Sequence, residues 1–263
     1  EGESFLGFVS AWLIDAEPRH RDDQRPEEIG DAAAATQREA ESHGVRCLAL
    51  RADVGDESSI VAAFSAIDAA FPGIRGLVNN AASNGGRARV ADVTLAQLEL
   101  TFRTNVFAAF LCAREAVRRM AASRGGAGGA IVNISSGATR TGSPGVWVHY
   151  AASKGAVEVM SLGLAKELAH DKIRVNTVRA GVIDTEVHRG HGEDRLQALM
   201  AMVPMARMGR PDEVAAGRRG EQAVGRLEAL LDDNLDRMGQ TSHLAADDRA
   251  ALVHRRAARR RRR

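Results

Sequence analysis

The sequence predicts an α/β domain built on a doubly wound parallel sheet. Three observations carry this. Short runs that are apolar on both faces recur through the middle of the chain, at 45–52, 76–79, 130–134 and 173–178. Helix-patterned segments separate them. Each run ends in polar or glycine-containing residues: Asp53, Asn79-Asn80, Ser135-Ser136 and Ala180-Gly181. Strands that are apolar on both faces belong in a sheet covered by helices on both sides, and parallel strands need long crossovers between them.

The elements follow in order. The run 8–14 is strand-like and ends at Asp15. Residues 27–42 are alanine-rich and helical, and Gly44 is a C-terminal stop. Residues 45–52 (VRCLALRA) read as a strand, and 57–70 as a helix that Pro72-Gly73 breaks. A buried strand at 76–79 precedes a helix at 94–104, with Thr94 as N-cap, and a second helix at 105–121. The glycine-rich run 124–129 reads as a flexible loop, and 130–134 (AIVNI) as the next strand. A long helix at 150–170 and a strand at 173–178 complete the pattern.

Three zones result: an atypical segment at 1–25, the domain at 26–217, and a helix-prone, arginine-rich, aromatic-free segment at 218–263. With 263 residues, 44% hydrophobic and 27% charged, the composition is that of one globular domain. No apolar run is long enough to cross a membrane; the stretch 5–14 is too short and lacks the basic start of a secretory signal. Cys47 and Cys112 make no disulfide framework and have no metal-ligand spacing, which points to a reducing compartment, the cytoplasm. The net charge of +2 hides an acidic body, because residues 255–263 hold seven arginines and no acid. That block reads as a solvated tail, with polyanion binding as its alternative. No zinc finger or aromatic RNA-binding motif accompanies it, so nucleic acid is not the expected partner.

In parallel sheets, ligands bind beyond the carboxyl ends of the strands. There the sole tyrosine, Tyr150, stands four residues before Lys154 in Tyr-Ala-Ala-Ser-Lys, a spacing that puts both on one helix face. A free phenol has a pKa near 10, and a neighbouring ammonium lowers it, so the pair is a candidate general acid/base. The bland reading is an ordinary helix with a surface lysine. Ser136 ends a strand 14 residues earlier, where its hydroxyl can bond a substrate carbonyl. Asn105, near a helix start, suits a water or a backbone group.

The segments Asn79-Asn80-Ala81, Asn105, Ile131-Val-Asn-Ile-Ser-Ser136, Tyr150-Ala-Ala-Ser-Lys154 and Ile173-Arg-Val-Asn176 resemble, in order and spacing, the short-chain dehydrogenase/reductase superfamily. Gly142-Ser-Pro-Gly145, His149-Tyr150 and Thr185-Glu-Val-His188 are most similar to bacterial members labelled glucose-dehydrogenase-like or acyl-carrier-reductase-like. The resemblance covers about 26–217 and implies a Rossmann-like fold, with NAD or NADP as cofactor. It implies hydride transfer between that cofactor and a small alcohol or carbonyl substrate. It makes Tyr150 the proton donor or acceptor and has Lys154 tune it and hold the ribose. Ser136 polarises the carbonyl, and Asn105 supports a water. Asp53 and Val54 meet the adenine, and Asn79, Asn80 and Ala81 line the cofactor wall. Ala180, Gly181, Ile183 and Thr185 contact the nicotinamide end. It also implies a homo-dimer or homo-tetramer, the dimer built from the helices at 105–121 and 150–170.

The sequence departs from the family at both ends. Before Val45 the glycines stand only at positions 2, 7, 30 and 44, so no glycine-rich pyrophosphate loop is present. Ala82 stands where glycine is usual and Ala180 where proline is usual. After Pro211-Asp-Glu-Val214 the usual final helix, loop and strand give way to the arginine-rich run. A shifted reading frame or rearranged gene would account for both ends, with low stability or weak dinucleotide affinity as the expected result. The alternative function is therefore an inactive relic that acts only as an associating subunit.

Remaining signals are weaker. His188, His191 and Glu193 fit known zinc spacings poorly, and no metal is expected. His149 reads as a surface histidine, with substrate contact as its alternative. Ser135 reads as a structural hydroxyl. Phe102, Phe107 and Phe110 read as core or subunit contact. No Gly-x-Ser-x-Gly elbow supports a hydrolase.

Overall fold

The computed structural model describes residues 8–10, 26–44, 46–71, 73–185, 197, 200–201, 203 and 205–216. The chain divides into two units, Glu1–Gly181 and Val182–Arg263. The first unit carries a four-stranded, all-parallel sheet in the order β1-β2-β3-β4. Its strands are β1 (Phe8–Ser10), β2 (Gly76–Asn79), β3 (Gly129–Ser136) and β4 (Ile173–Ala180). Its helices are α1 (Pro26–Ser42), α2 (Glu57–Ala70), α3 (Leu95–Phe102), α4 (Ala108–Met120), α5 (Ala138–Thr141) and α6 (Val148–Glu167).

Local chemistry sets these boundaries. Asp56 caps α2 by accepting the Ser59 N–H at 2.8 Å. Thr94 and Gln97 form a reciprocal capping box at the start of α3. Between α3 and α4 the ladder slips by one residue: Arg103–Phe107 is a π turn, in which the Ala108 N–H donates to the Arg103 carbonyl. Such turns concentrate at functional sites. The predicted helix at 105–121 thus begins with a π turn rather than running as one α-helix.

The register puts Leu77, Ile131 and Val175 in one row across β2, β3 and β4. That face packs against Ile60 and Phe64 of α2 and Ala116 and Met120 of α4 to make the main core. A second cluster joins Val106 and Ala109 to Val157 and Met160 of α6. Arg119 fastens α4 to α2, forking onto Asp68 at 2.7–3.0 Å and lying 5.0 Å over the Phe64 ring. It also reaches Glu115 at 2.9 Å. Burial raises the Glu115 pKa, but its arginine partners outweigh that and hold the carboxyl below its usual range.

The structure corrects one sequence expectation here. Residues 46–52 form no strand, and among the described residues no strand pairs with them. A strand exists only through a neighbour's hydrogen bonds, and without one Leu48 and Leu50 stay 39% and 37% exposed. The glycine-rich run 124–129 is unevenly packed: Gly125 is open, whereas Gly126 and Gly128 are closely packed. A Cβ on Gly128 would lie 2.5 Å from the Lys172 carbonyl, and one on Gly126 would clash with the Met120 carbonyl. Gly128 also has a φ of +76°, which only glycine adopts freely.

The second unit has Ile183 bridged in parallel to Gly209, with α7 at Pro211–Ala216. Arg207 forks onto Glu213 at 2.7 and 2.9 Å, and Glu213 also accepts the Arg210 N–H at 2.7 Å. The Arg207 bond is the main reason the Glu213 carboxyl sits at about 2. Among the described residues no helix is long and apolar enough to cross a membrane. The histidines at 188 and 191, the residues 11–15 and the arginine-rich segment lie outside the described residues.

Candidate active site

The carboxyl ends of β2 and β3 and the first turns of α6 carry the residues singled out in the sequence. Ser136 is the last residue of β3, and its Oγ accepts the Ala138 N–H at 3.2 Å. Tyr150 lies in the first turn of α6 and Lys154 one turn on. The structure brings all three together. The Ser136 side chain stands near enough to the Tyr150 phenol to favour its ionised form. The Lys154 Nζ stands 6.0 Å from the centre of the tyrosine ring and donates to the Ile134 carbonyl at 2.8 Å. Both ionisable groups are perturbed. Burial raises the Tyr150 pKa, and the nearby Ser136 side chain offsets only part of that rise. Burial also lowers Lys154, which is 3% exposed, to about 8. The sequence led us to expect the ammonium to lower the phenol. In this geometry burial sets the direction for the phenol, and the Lys154 ammonium donates to the Ile134 carbonyl.

Asn105 sits inside the π turn with 2% exposure. Its side chain clamps a backbone segment: Oδ1 accepts the Ser83 N–H at 2.7 Å and Nδ2 donates to the Ser83 carbonyl at 2.9 Å. Nδ2 also donates to the Ser153 hydroxyl at 2.8 Å, and Ser153 donates to the Tyr150 carbonyl at 2.7 Å. Of the two roles open to Asn105, its side chain takes the backbone one. His149 is buried, contrary to the surface reading, and its Nε2 lies 2.9 Å from the Asn84 carbonyl. That pairing requires the Nε2–H form. Gly85 makes the close approach possible, since a Cβ there would run into Thr101 and His149.

The cofactor-wall residues separate into two groups. Val54, Asn79, Ala81, Asn105, Ile134 and Lys154 line one small cavity. Asn80 is exposed, and Ala180 is bound through its carbonyl to the Gly137 N–H at 2.8 Å. Gly181 ends the first unit. Asp53 turns its carboxylate onto the Gly55 N–H at 2.7 Å, closing its own turn. Ile183 and Thr185 belong to the second unit, where the Thr185 hydroxyl donates to the Ile183 carbonyl at 3.4 Å. Asn79 is committed to the core: Nδ2 donates to the Ala109 carbonyl at 3.2 Å and to Asn133 Oδ1 at 2.8 Å. Asn133 passes the chain on to the Ser161 hydroxyl at 2.8 Å. Sequence reasoning missed Asn133 and Ser161. The available signal was a lone amide inside the apolar run AIVNI, since a buried amide needs partners. Phe107 and Phe110 are 57% and 48% exposed, so neither belongs to this chain's core.

Known proteins resemble this chain. A family model described as enoyl-(acyl carrier protein) reductase matches residues 26–217. An uncharacterized oxidoreductase of Escherichia coli, YgfF, is 47% identical over 173 residues, 65% of this chain and 70% of that protein. A glucose and ribitol dehydrogenase homolog of rice, Oryza sativa subsp. japonica, is 38% identical over 64% of this chain and 57% of that protein. Among solved structures, a short-chain dehydrogenase from Burkholderia cenocepacia in complex with NADP shares 29% identity. It has a TM-score of 0.66, with 72% of this chain and 74% of that one covered. A metagenomic blue fluorescent protein in complex with NADPH matches at 31% identity and a TM-score of 0.64, covering 71% of this chain and 72% of that one. The chain belongs to the short-chain dehydrogenase/reductase family of NAD(P)-dependent oxidoreductases.

Proposed function

We propose that this chain interconverts a secondary alcohol and a carbonyl compound with NAD(P)(H), using Tyr150 as the general acid/base. One observation carries the reading: Ser136, Tyr150 and Lys154 converge at the carboxyl end of β3. Ser136 orients the substrate oxygen, and Tyr150 gives or takes its proton. Lys154 supplies positive charge beside the phenol. Its buried ammonium has three N–H groups, of which the Ile134 carbonyl takes one, so its chemistry suits ribose hydroxyls. A small cavity beside it, lined by Val54, Ala81 and Asn105, has room for about one water. The bound nicotinamide supplies or accepts the hydride. Asn80, Ala180, Gly181, Ile183 and Thr185 remain candidate cofactor contacts from the family pattern, and Asp53 with Val54 the adenine contact.

A second reading, the inactive relic, is favoured by the absence of a glycine-rich loop before Val45 and by the uncovered Leu48 and Leu50. Titration with NADPH and NADH, followed by nicotinamide fluorescence, separates the two. Saturation in the micromolar range supports the enzyme; no binding up to millimolar supports the relic. With binding in hand, Tyr150→Phe is expected to lower turnover by a factor of roughly 10²–10⁴ and leave cofactor affinity nearly intact. Retained turnover would refute the assignment.

The chain also acts, in this proposal, as a homo-oligomer in the cytoplasm. Phe107, Phe110, Val159 and Leu162 are 48–72% exposed on the helices that the family uses for its dimer. Cys47 and Cys112 are both free thiols, as a reducing compartment requires. Light scattering of the purified chain tests the assembly, and a monomer at micromolar concentration would count against it.

A further inference from the structure

Behind Ser136 lies a cluster of four side chains that the reaction itself does not use. Glu158 is in α6, two turns beyond Tyr150, and its carboxylate is only 22% exposed. Three different elements converge on it. Ser135, at the end of β3, donates to Oε1 at 2.6 Å. Thr139, in α5, donates to Oε1 at 3.0 Å. Arg179, near the end of β4, forks onto it with Nε at 2.9 Å from Oε1 and Nη2 at 2.7 Å from Oε2.

Thr139 connects this cluster to the active site. Its hydroxyl accepts from Arg179 Nε at 3.1 Å and faces the Ser136 carbonyl at 3.0 Å. Ser135 and Arg179 are also register partners across β3 and β4. The network therefore joins the helix that carries Tyr150 and Lys154 to the strand end that carries Ser136. Bidentate arginine–carboxylate pairs fix geometry in two dimensions, which a single hydrogen bond does not. Burial acts to raise the Glu158 pKa, but its bonds to Arg179, Ser135 and Thr139 prevail and keep it ionised.

We infer that Glu158 and Arg179 are positioning residues: together they hold the strand end that carries Ser136 against the helix that carries Tyr150. This rests on the proposed function for its meaning but not for its measurement. Tyr150 is the sole tyrosine of the chain, so protein carrying ¹³C-labelled tyrosine gives a single Cζ resonance. That signal reports the surroundings of the phenol, the Ser136 side chain among them, without any turnover.

Ser136→Ala sets the scale of the shift. Glu158→Ala is expected to move the resonance in the same direction by at least half as much. Glu158→Gln keeps an acceptor for Ser135 and Thr139 and is expected to recover most of the wild-type position. In the turnover assay, Glu158→Ala should lower kcat at least tenfold with KM for NADPH within twofold. A Glu158→Ala resonance at the wild-type position, beside a shifted Ser136→Ala, overturns the inference and leaves the proposed function standing. An unshifted Ser136→Ala would place Ser136 away from the phenol, and the inference and the proposed catalytic pair would fall together. Should Glu158→Ala fail to fold, Arg179→Lys takes its place. It keeps the charge but loses the fork, and the same half-scale shift is required of it.

Discussion

At the β3–β4 side of the sheet, eight register pairs run from Gly129 and Ile173 to Ser136 and Ala180. At the β1–β2 side only three pairs run, from Phe8 and Gly76 to Ser10 and Val78. The first side carries the Ser136, Tyr150 and Lys154 constellation and the Glu158 network. The second is where the family's pyrophosphate loop would lie, and where the sequence departs from the family. Each side depends on its own neighbours for hydrogen bonds and burial. On the proposed function, proton chemistry and dinucleotide grip would be built by different stretches of chain and could fail separately. Substitutions on the two sides should differ in cost accordingly.

The largest effect is expected at the built side. Ile131 is 0% exposed at the centre of the main core. Ile131→Ala deletes methyl groups that have no room to be replaced, and should cost about 3–4 kcal/mol in urea unfolding. A cost below about 1 kcal/mol would mean that this core is as loosely covered as residues 46–52.

Lys154 gives a second, pH-dependent contrast. Burial holds it at about 8 in the fold against an ordinary value of 10.5. Between those values the unfolded chain binds more protons than the native one, so this group makes stability rise with pH. The penalty is full below pH 8 and gone above pH 10.5. Lys154→Met escapes it. Its stability advantage over wild type should shrink by about 3 kcal/mol from pH 7 to pH 10.5. Urea titrations of both proteins across that range check the sign. A difference that stays constant with pH would show that the ammonium is not desolvated. The variant should also lose turnover at every pH, which separates the role of the charge from its cost.

Asn133 should cost less. Asn133→Ala removes the central link between Asn79 and Ser161, but each keeps another partner, the Ala109 carbonyl and the Val157 carbonyl. About 2 kcal/mol is the expected loss. Additive effects of Asn133→Ala and Ser161→Ala in a double-mutant cycle would contradict a connected network.

The sequence exposed what local pattern determines. Helix α2 and strand β2 fell where the periodicity and the Pro72-Gly73 break put them, and Thr94 is the cap it was read to be. The Tyr150–Lys154 spacing was legible because a helix turns every 3.6 residues whatever packs on it. What depends on a distant partner was not legible. Residues 45–52 have a strand's composition, but a strand needs a neighbour. His149 looked like a surface residue because its acceptor, the Asn84 carbonyl, lies 65 positions away. The Glu158 network joins four elements, and no spacing along the chain announces it.

The smallest effect is expected at the uncovered segment, where the contrast is most easily broken. Leu48 is 39% exposed and lies in a stretch with no strand pairing among the described residues. Removing a half-wet side chain loses little transfer energy and opens no cavity, so Leu48→Ala should change stability by less than about 0.5 kcal/mol. The same substitution in a paired, helix-covered strand costs about 2–5 kcal/mol. Urea unfolding discriminates these directly, and repeating it with saturating NADPH sharpens the outcome. If cofactor binding turned the small cost into a large one, residues 46–52 would be acquiring cover in the bound state, and the weak side of the sheet would be completed by its ligand. If the cost is already large without cofactor, the segment is covered in the free chain and the contrast between the two sides does not hold.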